Sequence, residues 1–318
     1  MSFSPINNTF KSPPPYARVH ARAIEVPTLA LVMFVYGGWL ALTALYTVWP
    51  FWVVVPLVVL LLTLHSSVQH EILHGHPTRS RRLNRLMGMV PLSLWIPFER
   101  YRQTHLIHHI DEALTDPLDD PESYYWTPED WAKLNPVARL LVRAQTTLVG
   151  RMIIGPFWIV PRFWVSEFRM VMRNEHGARR IWGEHLVWCV LVILWLVYVC
   201  RMPLWIYVFA MVVPSMSILL IRSFAEHRAL PNAPERTAIV ENSWILGPLF
   251  LFNNLHSIHH EVPTMPWYDY PAYYRANRER VIRNNGGLVY DSYFSVARRF
   301  LLWQHDVPQH PLGRIRRE

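Results

Sequence analysis

Four stretches of the chain are almost wholly apolar, at residues 26–48, 51–70, 181–201 and 204–223. Each approaches the roughly 20 residues that carry a helix across ~30 Å of hydrocarbon. The links within each pair are short and hold a proline, Pro50 in the first and Pro203 in the second. The pattern therefore predicts two transmembrane hairpins. Between the pairs, residues 136–175 alternate apolar side chains with Arg139, Arg143, Arg151, Arg162, Arg169 and Arg173, and Pro156 and Pro161 interrupt the runs. Runs so short predict interfacial amphipathic helices rather than a further span. The acidic stretch at residues 111–129, with Asp116-Pro117 and Asp119-Asp120-Pro121-Glu122, reads as a loop with turns.

The expected fold class is an all-α membrane protein, with residues 1–318 forming a single membrane domain. Four transmembrane helices form two hairpins, and residues 76–180 and 224–318 form a helical cap. Arg79, Arg81, Arg82 and Arg85 follow the second span directly, which places the cap on the cytoplasmic side. Hairpins return the chain to its starting side, so both termini are expected there too. The first 25 residues hold Pro13, Pro14 and Pro15 with Lys11, Arg18 and Arg22, without the apolar core of a signal peptide, and read as a cytosolic tail.

Composition strengthens the membrane reading, because 52% hydrophobic residues and 15 Trp are high for a soluble core. The net charge of +8 comes from basic residues spread between apolar runs rather than along one face. That distribution fits anionic lipid headgroups and argues against nucleic acid. Cys189 and Cys200 lie in one apolar run, roughly 16 Å apart if helical, so they cannot bridge. No disulfide framework, cysteine zinc site or iron–sulfur motif is available.

The chemistry lies in the histidines. The spacing His-x-x-His-His occurs twice, at His105, His108 and His109 and at His256, His259 and His260. On a helix, positions i, i+3 and i+4 share a face, and imidazoles grouped this way usually hold metal. His70 and His74 stand at i and i+4 where the second span ends, and His227 follows the fourth span. These nine are the candidate ligands. His65 points away from His74 and is expected to pack, while His76, after the helix-stopping Gly75, is a second-choice ligand. His20, His176, His185, His305 and His310 are isolated and are expected to be satisfied or solvated. Nine imidazoles exceed the four of a closed zinc site, so two metals of higher coordination number are implied. Imidazole suits iron, zinc, copper and nickel alike.

Two other classes compete. His70-Glu71-Ile72-Leu73-His74 satisfies the H-E-x-x-H pattern of a zinc membrane protease, with Glu71 as general base, but leaves both His-x-x-His-His clusters idle. A non-catalytic membrane protein that uses histidines for metal storage or structure is the other.

The order H-x-x-x-H, H-x-x-H-H, H-x-x-H-H over two hairpins, with a further histidine after the fourth span, resembles the membrane fatty-acid desaturase and hydroxylase superfamily. The likeness covers roughly residues 65–311. It implies a non-haem centre of two Fe, ligated by the nine histidines, that uses O2 as co-substrate and two electrons on an unactivated C–H bond of a lipid or hydrocarbon drawn from the bilayer. The product would be a double bond in a fatty acyl chain, or, with the same site, a hydroxylated or oxidised lipid, carotenoid or alkane. Redox-inert zinc cannot supply that chemistry. In the stearoyl desaturase branch an Asn one turn before the extra histidine binds iron through water, and Ser223 stands there instead. His256 opens the third box where front-end desaturases have Gln. No H-P-G-G haem motif is present beyond the partial echo His310-Pro311-Leu312-Gly313. The electron donor is therefore expected to be a separate ferredoxin, rubredoxin or cytochrome b5. Glu71, Glu226, Glu261, Asp116, Asn253 and Asn254 are candidates to orient the ligand rings. Trp95, Phe98, Trp158 and Trp164 are candidate walls for an apolar substrate.

Overall fold

In the computed structural model, residues 24–312 are described, so the expected N-terminal tail with Pro13, Pro14 and Pro15 lies outside them. The first hairpin is α1 (Val26–Ala44) and α2 (Phe51–Leu73), with Pro50 at the N-cap of α2. Three helices of the cap follow, α3 (Arg81–Gly88), α4 (Phe98–His108) and α5 (Pro128–Lys133). Next come α6 (Pro136–Ala144) and α7 (Leu148–Arg173). The second hairpin is α8 (Glu175–Val199) and α9 (Leu204–Glu226). Its link turns at Arg201, whose φ of 53° is left-handed, and it closes with a bond from Met202 N to Leu196 O.

The remaining cap holds α10 (Leu246–Leu249), α11 (His256–Glu261), α12 (Tyr270–Asn284) and α13 (Tyr293–Phe300). A two-residue parallel pair, β1 (Ile239–Val240) with β2 (Val289–Tyr290), ties its halves together.

The hairpins pack through apolar side chains from Val32 and Val58 to Met211 and Met216. Other large apolar side chains, such as Met33, Phe34, Leu191 and Phe209, stand exposed, as expected for helices whose outer faces meet lipid. Several polar groups inside this layer are paired. Trp39 Nε1 donates to Tyr207 OH at 2.9 Å, which donates to Leu92 O at 2.6 Å, and Trp195 Nε1 donates to Thr43 Oγ1 at 3.0 Å. Such pairing is required where no water can satisfy the groups.

One expectation is corrected. Residues 148–173 are not broken into short helices by Pro156 and Pro161 but form the single 26-residue helix α7. By length and composition, α7 joins α1, α2, α8 and α9 as a fifth helix able to cross a membrane. The sequence argument fails because a proline removes one hydrogen bond, and tertiary contacts can replace it. Pro156 leaves Met152 O without its intrahelical donor, and Ser217 Oγ on α9 donates to that oxygen at 2.7 Å. Gly155 gives room beside it, since a Cβ there would lie 2.5 Å from Leu220 Cδ1. The observed ends also shift, with α1 stopping at Ala44, α2 running to Leu73, and α9 to Glu226.

Candidate metal centre

Three helix C-termini converge on one place. α2 ends in a turn carrying His70 with His74 at its C-cap, α4 ends on His105 and His108 with His109 at its C-cap, and His227 caps α9. The free carbonyls at such ends favour a cation. The short helix α11 supplies His256, His259 and His260. All nine candidate ligands therefore meet.

They separate into two sets. One ring nitrogen from each of His70, His74, His105 and His259 lies within 4.8 Å of the others, and the same holds for His108, His227, His256 and His260. His109 adjoins the first set, its Nε2 being 3.0 Å from His105 Nε2 and 2.9 Å from His259 Nε2. Its ring also stacks on His260 with centroids 4.3 Å apart.

The second set shows why a cation fits. His108 Nδ1 faces Asp120 Oδ1 at 2.9 Å, His256 Nδ1 faces Asn253 Oδ1 at 3.0 Å, and His227 Nδ1 faces Arg236 O at 3.3 Å. Each partner is an oxygen acceptor, which assigns the proton of a neutral ring to Nδ1 and leaves Nε2 as a lone pair. Yet His227 Nε2 lies 3.0 Å from His108 Nε2 and 2.9 Å from His256 Nε2. One shared proton can bridge one such pair. With all three rings neutral, their lone pairs would converge and call for an ion with several bonding directions. In the first set, His70 Nε2 is buried without a hydrogen-bond partner, which points the same way.

Electrostatics agree. Burial, reinforced by the neighbouring imidazoles, holds His74, His109, His227, His256, His259 and His260 well below the ordinary histidine value, so these rings are neutral and free to ligate. His108 is the exception: burial works against its charge, but Asp120 and Glu122 raise it to about 9.

Two of the six polar candidates for orienting the rings stand against His256. Asn253 meets His256, and Glu226 Oε1 stands 3.3 Å from the same Nδ1. Glu71 Oε2 instead accepts from Trp267 N at 3.2 Å, Glu261 pairs with Arg280, Asn254 donates to Val240 O, and Asp116 caps a turn at Leu118 and Asp119. Three orienting residues are absent from that set of six: Asp120, Glu122, whose Oε1 is 2.8 Å from His105 Nδ1, and Tyr270, whose OH is 3.1 Å from His259 Nδ1. The acidic run directly after His109 was the available signal for the first two.

His76 is committed elsewhere, with Nδ1 2.6 Å from Glu25 Oε1. His65 packs on Tyr36, while His185 meets Leu94 O and His305 meets Tyr290 OH. Phe98 fills the space beside Gly88, Trp164 donates to Trp95 O, and Trp158 packs with Trp126 and Trp131. Those four aromatics join α3, α4, α5 and α7 and the loop before α5.

A family model for fatty acid desaturases matches residues 47–294, well over half of the chain. The chain belongs to the fatty acid desaturase family. All nine candidate ligand histidines fall inside the matched range, whereas residues 295–312 lie beyond it. No curated protein matches the chain closely.

Proposed function

We propose that this protein is an O2-dependent membrane oxidoreductase that introduces a double bond into a fatty acyl chain at a two-iron centre. The observation carrying the reading is the convergence of nine imidazoles in two adjoining sets inside a desaturase chain. His70, His74, His105, His109 and His259 would hold one ion, and His108, His227, His256 and His260 the other. With O2 and two electrons, iron bound there supplies the oxidising power to take hydrogen from an unactivated alkyl C–H bond.

The chain's own residues prepare that site. Glu122 and Asp120 fix the rings of His105 and His108, Asn253 and Glu226 fix His256, and Tyr270 fixes His259. Burial of His70, His105, His108, His227, His256 and His259 keeps bulk water away from their rings. Glu71 is turned to the backbone of Trp267, which argues against a zinc protease in which that carboxylate activates water.

In this reading α1, α2, α8 and α9 cross the bilayer, and the ring clusters face the cytoplasm beside the basic run Arg79, Arg81, Arg82 and Arg85. α7 lies along the same face rather than crossing. Its first residue, Leu148, packs with Phe224 and Ala225 at the site end of α9. Further along, Arg162 covers Trp126, and Glu167 Oε1 pairs with Arg100 Nη2 on α4 at 2.8 Å. A hydrocarbon substrate enters from the bilayer, and a separate ferredoxin, rubredoxin or cytochrome b5 delivers electrons.

The test compares acyl chains from cells that make the protein with those from cells that make His259→Ala. New double bonds confined to the first support desaturation. New hydroxyl groups would reassign the protein to hydroxylation.

A further inference from the structure

The last described segment runs back over the cap as a strap. Trp126 N donates to Pro308 O at 2.9 Å, and His310 N donates to Trp126 O at 3.0 Å. His305 N donates to Thr146 O at 2.8 Å, and the His305 ring lies between Phe224 and Phe300 with Nε2 2.6 Å from Tyr290 OH. These contacts fix both sides of one residue, Asp306.

Asp306 is the hub of a polar cluster. Its Oδ1 accepts from Arg228 Nε and Nη2, each at 3.2 Å. Its Oδ2 faces His305 Nδ1 at 2.5 Å and Tyr124 OH at 3.4 Å. Tyr124 OH donates its proton to the carbonyl of His227 at 2.8 Å. Arg228 is the residue after His227, and its N donates to Arg236 O at 3.1 Å, the carbonyl that also faces His227 Nδ1. The His227 carbonyl is thus held by Tyr124, whose hydroxyl also reaches Asp306, and the next residue, Arg228, is held by Asp306 through its side chain. His74 and His109 also cap helices but keep near-helical backbone, whereas the φ of −133° and ψ of 145° at His227 are extended. His227 Nε2 faces both His108 and His256, so its placement decides whether the second set closes.

We propose that Asp306 is a positioning residue for the second metal set, acting on His227 through Tyr124 and Arg228. The proposal rests on the two-ion reading of the histidines and assigns Asp306 to one ion only. The first set takes its orientation from Glu122 and Tyr270 instead.

The test is titration of the metal-free, full-length protein with cobalt(II), read by its visible absorption. Wild type is expected to take up two equivalents. Asp306→Asn, and separately the isosteric Tyr124→Phe, should weaken one equivalent by about 10–100-fold, the usual effect of removing a ligand's supporting partner, and leave the other unchanged. Tyr270→Phe should weaken the opposite equivalent. Melting of the metal-free variants at the wild-type temperature shows that folding is intact. Two equivalents bound as tightly in Asp306→Asn and Tyr124→Phe as in wild type, or both weakened together, overturn the role of Asp306 while the two-ion centre stands. A wild-type protein that binds no cobalt overturns both.

Discussion

His108 Nδ1 and Asp120 Oδ1 lie 2.9 Å apart, with both side chains buried. The same carboxylate accepts from Thr115 N and Glu122 N, so it is fixed before the ring meets it. Asp120→Asn should lose the charge that sets the ring and, because its amide nitrogen cannot accept, one of the two oxygens that receive those backbone N–H groups. We expect metal affinity at the second set to fall about 10–100-fold, and product formation at least about tenfold, measured by iron retention against a chelator and by acyl-chain analysis.

His259 stands among His70, His74, His105 and His109. His259→Ala should lower product formation more than about 100-fold, because a metal that activates substrate is lost with its ligand. Membrane insertion should be unchanged, since α11 is no part of the spans. Fractionation with product assay checks both, and undiminished product would remove His259 from the site.

Glu71→Gln separates the desaturase from the protease reading. Glu71 Oε2 only accepts from Trp267 N, which a glutamine oxygen can also do. Product formation should remain within about tenfold of wild type, whereas loss of a general base costs about 10²–10⁴-fold.

The pair His76 and Glu25 should give the protein a pH dependence that owes nothing to metal. Burial opposes the charged ring, but the Glu25 contact and Glu71 raise His76 above its ordinary value. A raised histidine stabilises fully below the unfolded value of about 6.5 and loses that contribution as pH rises through the folded value. The melting temperature should therefore decline as pH rises above about 6.5, and Glu25→Gln should flatten the decline. An unchanged slope in that variant would show that the pair is not its source.

Gly150→Ala should destabilise strongly. Its Cβ would lie 1.9 Å from Ala144 O, a backbone atom in the tight corner where Thr147 Oγ1 caps α7. Overpacking commonly costs about 1–3 kcal/mol, and a backbone clash belongs at or above the upper end. A thermal melt in detergent measures it.

The grouping of the candidate ligands was legible in the sequence because their spacing is local. His105, His108 and His109 share a face through helical period alone, and His256, His259 and His260 do so even though α11 is only six residues long. The spans were legible for the same reason, as unbroken apolar runs. What supports the ligands was not. Asp120 and Glu122 act from a loop, Tyr270 from the helix after α11, and Asp306 across 79 positions from His227, contacts that leave no period to read. The continuity of α7 past Pro156 was not legible because the hydroxyl that replaces the bond lost there comes from Ser217, in another helix.

The most direct measurement is metal content of the full-length protein purified from its membrane with iron available. Near two irons per chain is the predicted result, because two sets of imidazoles stand ready for two ions. A single zinc with no iron would contradict the account.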